Sequence, residues 1–295
     1  MTSPIATVIA ASDFSLAAQR AAMRAGLLAK AHGGSLQLMH VLEGTGINAL
    51  RRTSPGSDLE ERVRIEAMCA LDSLADDVIR SGGVVADRLL REGRIIDEIL
   101  AASAQAELLV LGPRGVNPIR DFVIGSTAER LARRVVCPML VAKQDPQIHY
   151  EHVFVPVDFS EFSAPAVRFA ADLAPAAVLH IFHALDCSLD GTLRSAGASA
   201  EAVMSYHEQL AQEANTTMNR LTASVPDRNI AGVVEPGDAR ALINRRAAEL
   251  RCTLIVMGKQ GRSWLAEHIL GSVTRLVLEH AVCDVVVVPQ HAEAS

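Results

Sequence analysis

The sequence predicts an α/β protein built from two copies of one doubly wound domain, each with a five-stranded, mostly parallel sheet. Three observations support this prediction: a long internal repeat, short apolar runs that alternate with alanine-rich helical stretches, and glycine clusters that follow particular strands. Strands that helices cover on both faces form nearly continuous apolar runs, whereas strands with one solvated face alternate in polarity. The apolar runs in this chain are of the first kind.

A tandem duplication is visible as four short segments that recur at a nearly constant offset. The offset is 145 residues between Asp13 and Asp158 and 146 residues at the other matched glycines and cysteines. This period exceeds the about 20–50 residues of solenoid repeats, so each copy is a whole domain. We predict domains at residues 1–144 and 150–295, joined by a short polar segment. The recurring pairs are Ala6–Ser15 with Val153–Ser160, Leu109–Gly115 with Ile255–Gly261, Ile124–Thr127 with Leu270–Val273, and Arg134–Cys137 with His280–Cys283.

In the first half, a buried strand is predicted at Ala6–Ala11, and Ser15 is suited to cap the helix that follows. This helix extends to about His32, where a pair of glycines ends it. The remaining predicted elements are a strand at Leu36–Val41, a helix at Leu59–Arg80, a strand at Val84–Leu90, a helix at Ile95–Ala104, a strand at Leu108–Leu111, a helix from Gly125 and Ser126, and a strand at Met139–Val141.

The second half repeats this order of elements. A long helix is predicted at Glu201–Arg220, with an apolar stripe at helical spacing that faces the core. The predicted strands are Val153–Val157, Val178–Phe182, Ile230–Val234, Leu254–Met257 and Val285–Val288.

Composition excludes several classes of function. Hydrophobic residues make up 49% of the chain, which is ample for packed cores. The net charge of -6, without any basic block, argues against a nucleic-acid partner. The longest stretch without a charged side chain is Leu173–Leu185, 13 residues, whereas a membrane span needs about 20. No basic residue precedes the first apolar run, so we expect no signal peptide and a cytoplasmic location.

Two kinds of polar segment follow the first and fourth strands of each half. An Asp-Phe-Ser triplet follows the first strand, and a Gly-x-x-Gly pair follows the fourth, nine residues before a Gly-Ser pair. Ligands of doubly wound sheets bind beyond the carboxyl ends of the strands. Glycines there let backbone amides approach a ligand, and a helix that begins at Gly-Ser offers N–H groups to an anion. The pattern therefore predicts a nucleotide site, although neither a Walker A loop nor a G-x-G-x-x-G fingerprint is present.

Each of these residues also has a purely structural interpretation. Ser126 and Glu129 are spaced as a capping box, which begins a helix without any ligand. Asp13 and Asp158 are good turn residues, and glycine is common where a strand ends. These interpretations stay open for each residue alone, but the recurrence of the whole pattern in register favours a binding site.

The chain resembles the universal stress protein family, in its tandem two-domain form, over nearly its whole length. The Gly-x-x-Gly-x(9)-Gly-[Ser/Thr] signature matches in both halves, the Val-Asp-x-Ser turn matches at Val157–Ser160, and the Cys-Pro-x-Leu-Val ending matches at Cys137–Val141. The resemblance implies an adenine nucleotide alpha hydrolase-like fold with sheet order 3-2-1-4-5 in each half. It also implies a site for ATP, with any Mg²⁺ carried by the phosphates.

The resemblance assigns roles to individual residues of both halves. Asp13 and Val41 would flank adenine and ribose. The phosphates would lie against Gly112, Arg114, Gly115, Gly125, Ser126 and Thr127. The matching positions of the second half are Pro156, Asp158, Ala184, Gly258, Gln260, Gly261, Gly271, Ser272 and Val273.

The two halves depart from the family pattern differently. Pro113 lies inside the first glycine pair and has no N–H group to offer a phosphate. The matching residue of the second half is Lys259, whose ammonium group suits a phosphate. We therefore expect the second half to bind ATP more tightly.

The expected function is that of a stress-response protein whose nucleotide occupancy biases contacts with partners. We do not expect an enzyme beyond a slow ATPase, because no acid-base pair is evident; phosphotransfer and an interaction scaffold with a vestigial site are the alternatives. In this family the last strand commonly pairs across a dimer interface, which implies an intramolecular pseudo-dimer of the two repeats and, as a further option, a homodimer.

Two histidine patterns need an interpretation. His180 and His183 lie three residues apart on a predicted strand, hence on opposite faces, so a shared metal ion is not expected. His40 and His183 occupy matching places at the ends of the second strands, where packing or lining of a pocket is the expected role.

Overall fold

A computed structural model describes residues 5–46, 58–113, 125–261 and 269–289 of the chain. The chain divides into two compact units, of which the first covers Met1–Ile148 and the second His149–Gln290. Within the described ranges, no helix combines the length and the apolarity that a membrane crossing requires.

The first unit is a parallel sheet in the order β3-β2-β1-β4-β5, with helices in the connections. The elements in chain order are β1 (Thr7–Ala11), α1 (Leu16–Ala31), β2 (Ser35–Glu43), α2 (Leu59–Arg80), β3 (Ala86–Gly93), α3 (Ile95–Ser103), β4 (Leu108–Leu111), α4 (Ser126–Arg134) and β5 (Met139–Val141).

The second unit repeats this topology as β8-β7-β6-β9-β10, again with parallel pairs. The elements of the second unit are β6 (His152–Pro156), α5 (Ser163–Leu173), β7 (Val178–Leu185), α6 (Asp190–Ser195), α7 (Ala200–Ala223), β8 (Asn229–Pro236), α8 (Ala239–Glu249), β9 (Leu254–Gly258), α9 (Ser272–His280) and β10 (Asp284–Val288). The predicted fold class and the sheet order 3-2-1-4-5 are confirmed in both units.

Burial follows the position of each strand in its sheet. All residues of β4 and β10 are buried, as their continuous apolar runs predict.

The helices agree with their predicted features. The predicted bounds of α2 are confirmed at both ends, and Ser15 caps α1 by accepting a hydrogen bond from the Ala18 amide. The apolar stripe of α7 is confirmed at Val203, Ala214 and Met218, which are all buried.

The outer strands extend beyond their predicted ends. β3 spans Ala86–Gly93, so it begins two residues after the predicted Val84 and ends three residues after Leu90, and β8 runs to Pro236 rather than Val234. The inner strand β7 likewise runs to Leu185 rather than Phe182. β3 and β8 lie at the edge of the parallel sheet of their own unit and are largely exposed. Charged residues can therefore be part of these strands. Pairing with β2 and β7 continues through those charged positions, whereas the predicted bounds ended with the apolar run.

One buried cation ties the end of the first unit to α1. Arg24 is buried, and its guanidinium donates hydrogen bonds to the carbonyl oxygens of Ile148 at 2.6 Å and Asp145 at 2.8 Å. A charged donor strengthens such bonds, and the low dielectric of the interior makes their loss costly. Arg24 therefore holds the segment 145–148 against the helix.

We expect Arg24→Met to lower the free energy of unfolding of the first unit by about 3 kcal/mol, because a buried guanidinium loses two charge-assisted hydrogen bonds to backbone carbonyls. Methionine keeps most of the aliphatic stem and has a similar helix propensity, so the change isolates the guanidinium. Urea denaturation measures the effect. The control is Arg20→Met on the exposed face of α1, for which we expect less than about 0.5 kcal/mol. Equal losses for the two variants would contradict this account.

Candidate functional site

The carboxyl end of β1 leads into a tight turn that contains the first predicted aspartate. The Asp13 carboxylate oxygen Oδ1 accepts a hydrogen bond from the Ser15 amide at 3.1 Å. Phe14 between them has a left-handed backbone with φ of 64°, which costs about 1–2 kcal/mol for a residue with a Cβ. Its ring stacks on His40 with a centroid distance of 4.4 Å, and His40 Nδ1 lies 2.8 Å from the carbonyl oxygen of Ser12. These contacts offset the strain.

The second unit builds the same turn from its own residues. Phe159 has φ of 59° and its ring lies 4.1 Å from that of His183. His183 Nδ1 lies 2.8 Å from the carbonyl oxygen of Val157. The predicted packing role of the two matching histidines is confirmed, because each supports a strained phenylalanine beside a predicted site aspartate.

The two aspartates differ in how they are held. Asp158 Oδ1 accepts hydrogen bonds from the Ser160 amide at 3.0 Å, the Ser160 hydroxyl at 2.6 Å and the Ser163 hydroxyl at 3.2 Å. In the first unit the Ser15 hydroxyl is instead the cap of α1, and an alanine stands at the position of Ser163. Two serine hydroxyls thus orient the carboxylate of the second repeat, and the contribution of Ser163 was not predicted.

The first glycine of each pair allows a helix to approach the sheet closely. A Cβ atom on Gly112 would lie 2.9 Å from the backbone carbon of Ala17, and one on Gly258 would lie 2.6 Å from the Cβ of Phe162. Real Cβ contacts are not that short, so packing alone requires glycine at both positions. The structural interpretation of Gly112 and Gly258 therefore accounts for them, whether or not a ligand binds.

The second glycine of the second repeat has a different neighbour. A Cβ on Gly261 would lie 2.5 Å from Asp158 Oδ2. The loop after β9 therefore passes directly against the carboxylate after β6, and the two predicted parts of the site meet. The matching residues Arg114 and Gly115 of the first repeat lie outside the described residues.

The Gly-Ser pairs begin helices as predicted, but the cap is the glycine. The amide of Gly125 donates to the carbonyl oxygen of Pro113 at 2.9 Å, and that of Gly271 donates to Lys259 at 3.0 Å. Gly125 and Gly271 are the N-cap residues, and within the described residues no side chain caps α4 or α9. Ser126 therefore does not cap the helix, and the capping-box interpretation that the sequence left open for it is wrong. Glu129 forms an ion pair with Arg133.

The first turn of each helix therefore presents backbone N–H groups for which the described residues supply no side-chain cap, at the positive end of the helix dipole. Ser126, Thr127 and Ser272 are exposed, and Val273 is half-buried. Such a terminus suits an anion.

Further polar groups of the second repeat surround this terminus. The Ser272 hydroxyl oxygen lies 3.1 Å from Nη2 of Arg240, which donates to it from α8. Gln260 Nε2 donates to the carbonyl oxygen of Ile269 at 2.5 Å. Lys259 is half-buried, and this burial lowers the pKa of its ammonium group below the ordinary value. Arg240 was not predicted, because a contact over 32 residues leaves no local signal.

The aliphatic residues predicted to lie near the adenine base and ribose are within strands rather than in the loops beyond them. Pro156 is the last residue of β6 and is buried, and Ala184, next to the last residue of β7, is half-buried. Val41 lies two residues before the end of β2 and is buried. All three sit at the carboxyl ends of strands adjacent to the aspartate turns.

Two doubly wound units with glycine loops at the carboxyl ends of their strands, and with helix starts that no described side chain caps, have an adenine nucleotide alpha hydrolase-like fold. The model of the universal stress protein family matches residues 4–143 and, a second time, residues 149–289. The chain belongs to the universal stress protein family and has its tandem two-domain form.

Relatives in this family support the assignment. A universal stress protein of Mycobacterium tuberculosis is 28% identical over 199 residues, which are 66% of this chain and 66% of that relative, just under two thirds of its length. One from Mycolicibacterium smegmatis is 24% identical over 267 residues, covering 88% of this chain and 89% of the relative. The crystal structure of a universal stress protein from Archaeoglobus fulgidus has the same fold, with a TM-score of 0.68, 20% identity, and coverage of 98% and 97% of the two chains.

We expect Thr274→Val to loosen the start of α9. Thr274 is buried, and its hydroxyl donates to the Gly258 carbonyl oxygen at 3.0 Å, which links the first turn of the helix to the end of β9. The isosteric valine removes this bond and lowers the free energy of unfolding by about 1 kcal/mol. Hydrogen exchange at the amides of α9 and urea denaturation measure the effect.

The matched control is Thr216→Val on the exposed face of α7, where the hydroxyl donates within its own helix to the Gln212 carbonyl oxygen. Faster exchange in α9 for Thr274→Val alone is the expected result. Unchanged exchange in that variant would show that the link to Gly258 does not hold the helix start.

Proposed function

We propose that this stress-response protein binds ATP or a related adenine nucleotide in one or both repeats, and that occupancy biases its contacts with partner proteins. The observation that supports this best is the approach of Gly261 to the Asp158 carboxylate. It brings the loop suited to phosphate and the acceptor suited to a nucleoside together at one edge of the sheet.

The residues of the second repeat fit such a ligand chemically. Asp158 is an acceptor for a ribose hydroxyl or a base amino group, and its orientation is set by donors to Oδ1. The N–H groups that begin α9, the Ser272 hydroxyl, Lys259 and Arg240 are suited to phosphate. These local groups matter because the net charge of -6 gives no general attraction for an anion.

The first repeat would use Asp13 and Val41 for the nucleoside and Gly112, Arg114, Gly115, Gly125, Ser126 and Thr127 for phosphate. It has Pro113 where the second repeat has Lys259 and therefore lacks one amide N–H in the glycine loop, although Arg114 and Lys259 give each loop one cation. We propose that the second repeat is the tighter site for this reason.

Two features indicate how the base and any Mg²⁺ ion would be held in a nucleotide complex. Aromatic residues are only 3% of the chain, so we propose that aliphatic residues such as Pro156 and Ala184, rather than a stacked ring, contact the base. Among the described residues no group of three or more metal-ligating side chains is found. We therefore propose that any Mg²⁺ enters on the phosphates.

We propose that the protein binds ATP rather than turning it over, and that any ATP hydrolysis is slow. Among the described residues, the groups near the start of α9 are hydrogen-bond donors and cations, which suit phosphate but do not activate water. Turnover above background that disappears in Ser272→Ala would favour the enzymatic alternative.

The direct test is calorimetry with ATP on Gly261→Ala. The new Cβ would lie 2.5 Å from Asp158 Oδ2 and must displace that carboxylate, so we expect the tighter binding event to weaken by at least about tenfold, or about 1.4 kcal/mol. The control is Gly46→Ala, because no described atom lies within 4 Å of a Cβ at Gly46.

Gly115→Ala is the matched change in the first repeat and should affect only the weaker event. If Gly261→Ala leaves the tighter event intact, the ranking of the two repeats is wrong. If the unaltered protein binds no adenine nucleotide, the proposed function itself is wrong.

A further inference from the structure

A pair of histidines in the second unit lies away from the candidate nucleotide site. Nδ1 of His152 lies 3.2 Å from Nε2 of His180, and the ring centroids are 5.4 Å apart. The sequence drew attention to His180 and His183, but the structure directs His183 to the Val157 carbonyl oxygen instead. The partner of His180 is therefore His152, which no sequence spacing indicates.

The strands hold the two imidazoles in this relation. His152 is the first residue of β6, and His180 pairs in register with Phe154, two residues further along the same strand. Residues two apart on a strand share one face of the sheet. Phe154 and Phe182, both buried, form the next stacked pair of this row at 5.4 Å, so the histidines lie at the open end of an apolar ladder.

We propose that His152 and His180 form a binding site for a divalent late transition-metal ion of the Zn²⁺, Ni²⁺ and Cu²⁺ class. Neutral imidazole nitrogen is a preferred ligand of these ions. With metal–nitrogen distances of about 2.0–2.1 Å and tetrahedral geometry, two ligand nitrogens lie about 3.3 Å apart. The 3.2 Å between Nδ1 and Nε2 matches that separation.

When His152 and His180 are both neutral, binding of a metal ion does not require either side chain to release a proton to solvent. In the metal-free neutral pair one of the two facing nitrogens carries a proton and donates it to the other. Metal binding needs a lone pair on both, so the shared proton moves to the outer nitrogen of its own ring. The rings must rotate so that the lone pairs converge, which the broad χ2 torsion of histidine permits. Water completes the coordination.

The sheet holds the backbone of both ligands, because β6 pairs with β7 on one side and with β9 on the other. The carbonyl oxygen of His152 accepts from the Thr253 amide at 3.0 Å, which fixes the main chain at this ligand.

The site lies near the amino-terminal ends of β6 and β7, whereas the candidate nucleotide site lies at the carboxyl ends. The proposal is therefore independent of the proposed function. A bound ion would link two neighbouring strands and stabilise the second unit by mass action.

The test titrates the full-length protein with ZnCl₂ and NiCl₂ by calorimetry and records the electron paramagnetic resonance spectrum of the Cu²⁺ form. We expect one ion per chain, at least tenfold weaker binding in both His152→Phe and His180→Phe, and nitrogen hyperfine coupling that these variants lose. Phenylalanine keeps a ring in the stacked row, and circular dichroism with urea denaturation establishes that each variant is folded.

His280→Phe, at the exposed end of α9, is the control and should bind the metal as the unaltered protein does. Gly261→Ala should also retain metal binding, which separates this result from any failure of the nucleotide proposal. Metal binding that persists in His180→Phe, or that saturates only at millimolar metal as an adventitious ion would, overturns the proposal.

Discussion

The close contact between the helix after the first strand and the end of the fourth strand is the constraint on which both units depend. Gly112 against Ala17 and Gly258 against Phe162 leave no room for a Cβ atom. This approach places the turn after the first strand beside the loop after the fourth. In the second unit it brings Asp158 to Gly261, and the candidate site is a consequence of that packing.

The two units preserve this geometry while their chemistry has diverged. Each has a left-handed phenylalanine that stacks on a histidine, and each histidine Nδ1 lies 2.8 Å from a backbone oxygen. Strained residues of this kind persist only where the surrounding contacts hold them, and they occur often at binding sites. Around that shared turn the second repeat adds Ser163, Lys259 and Arg240, and this difference is the physical basis for proposing unequal affinities.

The parts that sequence predicts well are those with a local or repeated signal. The buried strands and the bounds of α2 are predictable because apolar runs and the glycines after a helix mark them, whereas the sheet order follows only from the family resemblance. Strand ends are less predictable because pairing, not apolarity, sets them. The sequence allows Ser126 as a cap, but Gly125 is the cap, and its amide donates to the Pro113 carbonyl oxygen. Arg240 and the His152–His180 pair depend on contacts between distant segments, which leave no periodic signal.

Both repeats offer phosphate a helix start that no described side chain caps, and this feature makes nucleotide binding the central claim. The most direct measurement is mass spectrometry of the small molecules that heat denaturation releases from protein purified without added ligand. The account predicts an adenine nucleotide among them, bound at no more than two per chain. A protein that releases none, and that shows no heat of binding with ATP, would contradict it.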